Sequence, residues 1–388
     1  MKRALVVPVI AAAIVALGGC KWLDKLGRKD NVEPPTPLSE SFTPTLAVQS
    51  LWTATPGKGA GNSGARLRPA VADGRLYVAG VDGSVQALDA ATGRNLWSVR
   101  DKKERWSGGP AANGDLVVVG SLEGSLHAFS ATDGSPRWQS RIDAEIITAP
   151  AMGNDLVAVR AQNGRLFGID PADGSRKWVY EQAVPALSLR GNSSPVIAGD
   201  LVVGGYDSGR LVAVRSSDGA LAWTQLLSNA EGRTEVERLA DIDGQVVVDA
   251  NEVFAVGYRG QIAVFYADSG RPAWGREMNS YAGVGVSATA VVTSDAEGNV
   301  WAFDRQSGAN LWKNEELRHR WLTAPAIIGN HAVVGDLDGW VHWLELGEGR
   351  LVARQRLGKK PIESTPVVAD DVVYVEDVEG RIGAWRTP

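Results

Sequence analysis

The residues able to do chemistry in this 388-residue chain are few and badly placed for it. Its four histidines, His127, His319, His331 and His342, are scattered without the short spacings that build a metal site. Cys20 is the single cysteine, so neither a zinc thiolate set nor an intrachain disulfide can form. There is no G-x-S-x-G nucleophile elbow, no P-loop and no dinucleotide fingerprint. Asp82, Asp133 and Asp173 precede glycines or small residues, where local backbone hydrogen bonding in a turn accounts for them. No catalytic residue, metal ligand or cofactor is therefore assigned. Two irregular segments carry a different chemistry, that of binding. The first, Pro185 to Asn192, sets Leu187 and Leu189 beside Arg190, an apolar anchor next to a directional ion-pairing group. The second, Glu231 to Asp243, is dense in charge and suits a basic patch on a partner. The plainer reading is that both leucines tuck under their loop and the charges are solvated.

These segments need a scaffold, and its type follows from composition. Net charge is −5, and taking away Lys2 and Arg3 with residues 1–19 leaves about −7. That balance argues against a nucleic-acid partner, which calls for a clustered basic face. Forty-five glycines among short Val/Leu runs indicate turn-rich all-β structure. At the N-terminus, Lys2 and Arg3 precede an apolar stretch from Ala4 to Leu17, too short to span a membrane comfortably. It ends Leu17-Gly18-Gly19-Cys20, which resembles a bacterial lipoprotein signal. The resemblance implies cleavage before Cys20, lipid on that residue and a membrane contact through it. Lys21, where an aspartate would mark inner-membrane retention in enteric sorting, points to the outer membrane. Residues 21–45, with Pro34, Pro35, Pro37 and Pro44, read as an extended tether reaching roughly 75 Å.

From residue 46 to 388 the sequence repeats. A turn glycine recurs at Gly83, Gly124, Gly164, Gly209, Gly260, Gly298, Gly339 and Gly380. Ten residues later a second glycine follows in seven copies, and four residues after that a tryptophan (Trp97, Trp138, Trp178, Trp223, Trp274, Trp312), with Ala353 in the seventh. Each unit reads as four short antiparallel strands joined by glycine turns, the pattern of a propeller blade. The eighth unit stops before its fourth strand, while a spare Leu51-Trp52 precedes the first. An eight-bladed β-propeller is expected, its ring closed by the N-terminal strand completing the last blade. The tryptophans are expected to act as wedges between blades, an aromatic ligand platform being the alternative. Length varies only between blades; the connections after Trp178 and Trp223, at 17 and 23 residues, are long and should be neighbours on one face.

The unit from Gly83 to Trp97, G-x-x-x-A-x-D-x-x-T-G-x-x-x-W, resembles the repeat of pyrroloquinoline-quinone enzymes. A quinoprotein dehydrogenase relative is thus one alternative, although those enzymes carry long insertions and often an adjacent-cysteine disulfide. End to end, from lipobox through tether to ring closure, the chain is more similar to the BamB family, propeller lipoproteins of the outer-membrane β-barrel assembly (Bam) machinery. The local matches are Leu187-Ser188-Leu189-Arg190-Gly191, Arg238 to Asp243, and Leu317 to Pro325 with Val334-Gly335-Asp336. The resemblance implies a non-catalytic scaffold facing the periplasm that binds the POTRA domains of BamA. Leu187, Leu189, Arg190, Asp241 and Asp243 would form the contact, the two aspartates either touching the partner or positioning Arg190 and its loop. Unfolded outer-membrane proteins are a further expected client. A surface- or carbohydrate-binding propeller is the other alternative; it would cluster exposed aromatics, with Trp106, Trp321, Trp340 and Trp343 as candidates.

Overall fold

The computed structural model describes residues 33–185, 193–228 and 241–388. The chain divides between Pro35 and Thr36 into two units, the second carrying every blade. Its strands form eight four-stranded antiparallel sheets among the described residues. Seven run in simple sequence order, as in blade 1, where Ala70–Ala72, Arg75–Ala79, Ser84–Asp89 and Asn95–Arg100 lie side by side. The eighth, as expected, combines Val367–Ala369, Val372–Glu376 and Ile382–Arg386 with the N-terminal strand Gln49–Ala54. Strand pairing with the opposite end of the chain leaves the ring without a free seam.

Burial along each blade explains the sequence pattern. The second and third strands are covered on both faces by neighbouring blades, as in Val157–Arg160, and so read as continuous apolar runs. The fourth strand lies at the rim, where only one side chain in Arg176–Glu181, that of Trp178, is buried. A register shift beside the tryptophan pair recurs in the outer hairpin, for example between Ala87 and Leu88 and between Ala128 and Phe129. Such bulges twist an exposed edge away from pairing with other chains.

The tryptophans are wedges. Trp52, Trp97, Trp138, Trp178, Trp223, Trp274 and Trp312 each donate Nε1–H to a backbone carbonyl of the next blade, at 2.7 to 3.0 Å. Their rings lie over that blade's Thr-Gly-type glycine. At Gly134, with φ of 74°, a Cβ would sit 2.6 Å from the Trp97 ring. Only glycine meets both demands, the left-handed backbone and the close approach.

Ala353 has a structural reason. In the other blades the tryptophan of the fourth strand pairs with a small or slender third-strand residue, as in Ala87–Trp97, Ala302–Trp312 and, at the closure, Ala384–Trp52. In blade 7 the pair is inverted to Trp343–Ala353. The blade it faces, blade 8, is interrupted by the chain termini at the turn where a glycine would receive a wedge. Trp343 instead packs edge-on against Trp385, ring centroids 6.3 Å apart, and donates to Thr387 Oγ1 at 3.1 Å. Leu46 and Val48 pack beside Ala353 in the same core cluster.

Residues 36–45, assigned above to the tether, are bound to the propeller along blade 7. Thr36 N donates to Arg318 O and Arg320 Nη1 to Thr36 O, both at 3.0 Å. Leu38 packs into the core shared by blades 6 and 7. Arg354 Nη2 donates to Ser39 O at 2.7 Å while its guanidinium covers Phe42, and Thr45 N and Leu46 N both donate to Val352 O. Alternating apolar residues are not needed for this strap, because its backbone groups are met by blade 7, which is why hydropathy patterning did not reveal it.

Candidate docking surface

Every inter-blade connection has to cross one face of the ring, that of the second turn in each blade. Asp101 N, Ile142 N, Gln182 N, Leu227 N and Leu357 N donate to the carbonyls of Gly83, Gly124, Gly164, Gly209 and Gly339, at 2.8 to 3.0 Å. The long connections after Trp178 and Trp223 therefore rise on this face from adjacent blades, 3 to 4 and 4 to 5. Cys20, Leu187, Leu189 and Arg190 lie outside the described residues, as does 229–240; the bases of both connections are described, and Asp241 and Asp243 with them.

Asp241 and Asp243 flank Ile242, which is fully buried in the core of blades 4 and 5 against Val203 and Leu211. A Cβ on Gly205 would come within 2.4 Å of the Ile242 side chain, so this plug requires glycine beneath it. The Asp241 carbonyl accepts from Tyr258 N at 2.8 Å in a short antiparallel bridge to blade 5. With its backbone held on both sides, Asp241 turns its carboxyl inward: the residue is 1% exposed and neither oxygen has a hydrogen-bond partner among the described residues. Burial, then the nearby charges of Asp243 and Asp207, push its pKa up to about 8, against the opposing pull of Arg160.

Arg160 and Asp207 were not singled out in the sequence. They form a buried ion pair through Arg160 Nη2 and Asp207 Oδ1, with side chains 2% and 3% exposed. The Arg160 guanidinium also covers the ring of Tyr206 at 5.2 Å, and burial raises the Tyr206 hydroxyl well above its ordinary pKa. The repeat did contain the signal. Four residues before the turn glycine, blades 1, 2, 4, 5 and 7 carry Ala79, Gly120, Gly205, Val256 and Gly335, blades 6 and 8 carry Ser294 and Glu376, and blade 3 carries an arginine. Two residues before it, blades 1, 2 and 7 carry Val81, Leu122 and Leu337, and blade 4 carries Asp207. Three carboxylates and one guanidinium thus gather under the two long connections. A buried charge set of this kind is retained at a stability cost that a plain apolar core would avoid.

A second polar constellation lies in the matched stretch Leu317 to Asp336. Buried Asp336 accepts from Arg320 Nε at 2.7 Å and His342 Nε2 at 2.9 Å, and from the backbone N of Asp338 and Trp340, both at 2.9 Å. Burial works against this carboxylate, but the His342 hydrogen bond and the Arg320 charge outweigh it and hold its pKa below the ordinary range. Of the four aromatics that a carbohydrate platform would use, Trp106 and Trp343 are fully buried, and Trp340 is covered by Arg354 and Arg356. Trp321 stands exposed by itself; the four form no cluster.

At the mouth of the ring axis on the same face, a cavity of about 480 Å³ is lined by the starts of the blades, including Arg66, Arg68, Asp243, Gln245, Tyr281 and Trp321. Arg68 reaches across it to Gln245 Oε1, joining blade 1 to blade 5. Asp243 therefore belongs both to the acidic cluster and to the wall of the axial mouth.

Comparison with known proteins agrees with this architecture. The sequence profile described as "Outer membrane protein assembly factor BamB", of the PQQ-type repeat, matches residues 49–105 and 81–314. The chain is 41% identical to the outer membrane protein assembly factor BamB of Xanthomonas campestris, over 98% of this chain and 97% of that one. Among solved structures, BamB from Moraxella catarrhalis superposes with a TM-score of 0.81 at 28% identity, covering 88% of this chain and 100% of that chain. A quinohemoprotein alcohol dehydrogenase from Comamonas testosteroni matches with a TM-score of 0.67 at 14% identity, over 87% of this chain and 76% of that one, a likeness of fold alone. The repeat register, the closed eight-bladed ring and kinship over nearly the whole length lead to one assignment: the chain belongs to the BamB family of outer membrane protein assembly factors.

Proposed function

We propose that this protein is a non-catalytic scaffold of the outer-membrane β-barrel assembly complex, docking through its long-connection face onto the periplasmic POTRA domains of BamA. The observation that carries the reading is the buried acidic cluster Asp207, Asp241 and Asp243 with Arg160, under the two connections that depart from an otherwise regular repeat. Leu187, Leu189 and Arg190 supply the contact on the first connection. Asp241, buried as it is, shapes the base of the second, whereas Asp243 at the axial mouth reaches the partner. Cys20 carries the lipid that holds the disc at the outer membrane, facing the periplasm, and no cofactor takes part. Kinship with proteins named assembly factors supports the absence of chemistry.

The test is a pull-down of residues 21–388 with purified BamA periplasmic domains. Arg190→Ala and the pair Leu187→Ala/Leu189→Ala should weaken binding by tenfold or more, as loss of central anchors does, with circular dichroism unchanged. Absence of binding by the wild type would refute the assignment.

A further inference from the structure

Trp321 combines two features that folding alone does not explain. It is 63% exposed, the most exposed of the large apolar residues among the described ones, and its backbone lies in the left-handed region at φ 52°. A bulky side chain in that region is strained, and such strain persists only where the surroundings over-determine it. Here they do. Arg320 on one side is pinned in the interior by Asp336 and Asp338, each at 2.7 Å. Leu322 on the other side is buried in the core of blades 6 and 7, and Thr323 N donates to Gly335 O at 3.1 Å. With both neighbours directed inward, the residue between them is turned out over the axial mouth. There the indole has no hydrogen bond or ring contact with the described residues.

The mouth that Trp321 overhangs is shared with Asp243, so the surface is continuous with the proposed docking face. Its lining is mixed: apolar Ala282 and Ala324 stand beside hydrogen-bonding groups, among them Arg68 tied to Gln245, Tyr281 and Asp243. An exposed indole beside a cavity that carries both apolar and hydrogen-bonding groups suits a protein side chain with an apolar body and a hydrogen-bonding end. From this geometry we infer that Trp321 is a further docking residue, packing against an apolar or aromatic side chain of the partner proposed above, whose polar end enters the axial mouth. The inference rests on that proposal and adds the ring axis to the contact.

The strain permits a test that separates docking from a structural role. Trp321→Gly removes the indole and relieves the left-handed backbone together. Binding of the full-length chain in detergent to the BamA periplasmic domains, followed by titration calorimetry, should weaken at least about tenfold. Its thermal midpoint should equal or exceed that of the wild type, and Trp321→Phe should bind within a few-fold of wild type. Two results would overturn the inference: binding by Trp321→Gly within twofold of wild type, or a loss of binding matched by a fall in thermal midpoint. If the wild type itself fails to bind, this inference and the docking proposal fall together.

Discussion

Asp241 shows how one side chain is set by its backbone. Ile242 must plug the core beside Gly205 and the Asp241 carbonyl must bond Tyr258, which leaves the carboxyl no route to solvent. A carboxyl whose folded pKa is raised binds its proton more tightly when folded. Between its unfolded value near 3.8 and its folded value of about 8, the folded state then holds a proton that the unfolded chain has released. The contribution of this group to stability therefore falls as pH rises through that window, by at most about 1.4 kcal/mol per pH unit. Glu376, raised by burial, acts in the same direction, while His127, His331 and His342, lowered by burial, act against it, so the test is comparative. Urea unfolding at pH 5 and pH 8 should show a smaller loss for Asp241→Asn than for the wild type. Equal losses would mean that Asp241 is already ionised in the folded protein.

Between blades the repeated element is the joint of tryptophan on glycine. Each of the seven contributes an indole hydrogen bond and a ring packed over a turn that admits no Cβ. Trp97→Ala should cost about 3–5 kcal/mol in urea unfolding, the range for removing a large buried aromatic. Gly134→Ala should also destabilise, by about 1–3 kcal/mol, because it strains a turn at φ 74° and pushes on the Trp97 ring. Blade 7 should behave differently, since its wedge is Trp343 on the third strand. Ala353→Trp there would meet Leu46 and Val48 rather than a receptive glycine, and should destabilise instead of completing the pattern. The tryptophan positions, their glycine partners and the odd alanine were all legible in the sequence. The compensating inversion to Trp343 was not, because its cause is a turn missing from a blade assembled from both chain ends.

For the whole molecule, closure depends on the N-terminal strand and the strap before it. Deleting residues 36–54 would expose the edge of Ile382–Arg386 and uncover blade 7. The expected outcome is association through the open edge, seen as a shift to oligomers in size-exclusion chromatography, together with a lower thermal midpoint. A monomer with an unchanged midpoint would show that the ring does not need its closing strand.

The sequence by itself determined the blades, their number, the closing strand and the side on which the long connections emerge. Those properties follow from local periodicity, and glycine turns and alternating strands report it wherever they occur. It also marked Leu187, Leu189, Arg190, Asp241 and Asp243 as departures from the repeat. Only the tertiary structure decided that Arg160, Asp207 and Asp241 share one buried cluster, that residues 36–45 are strapped to blade 7, and that Trp321 overhangs the axis. The reason is common to all three. Each depends on which residue of one blade meets the connection leaving another, and packing around a closed ring sets that meeting, whereas spacing along the chain does not.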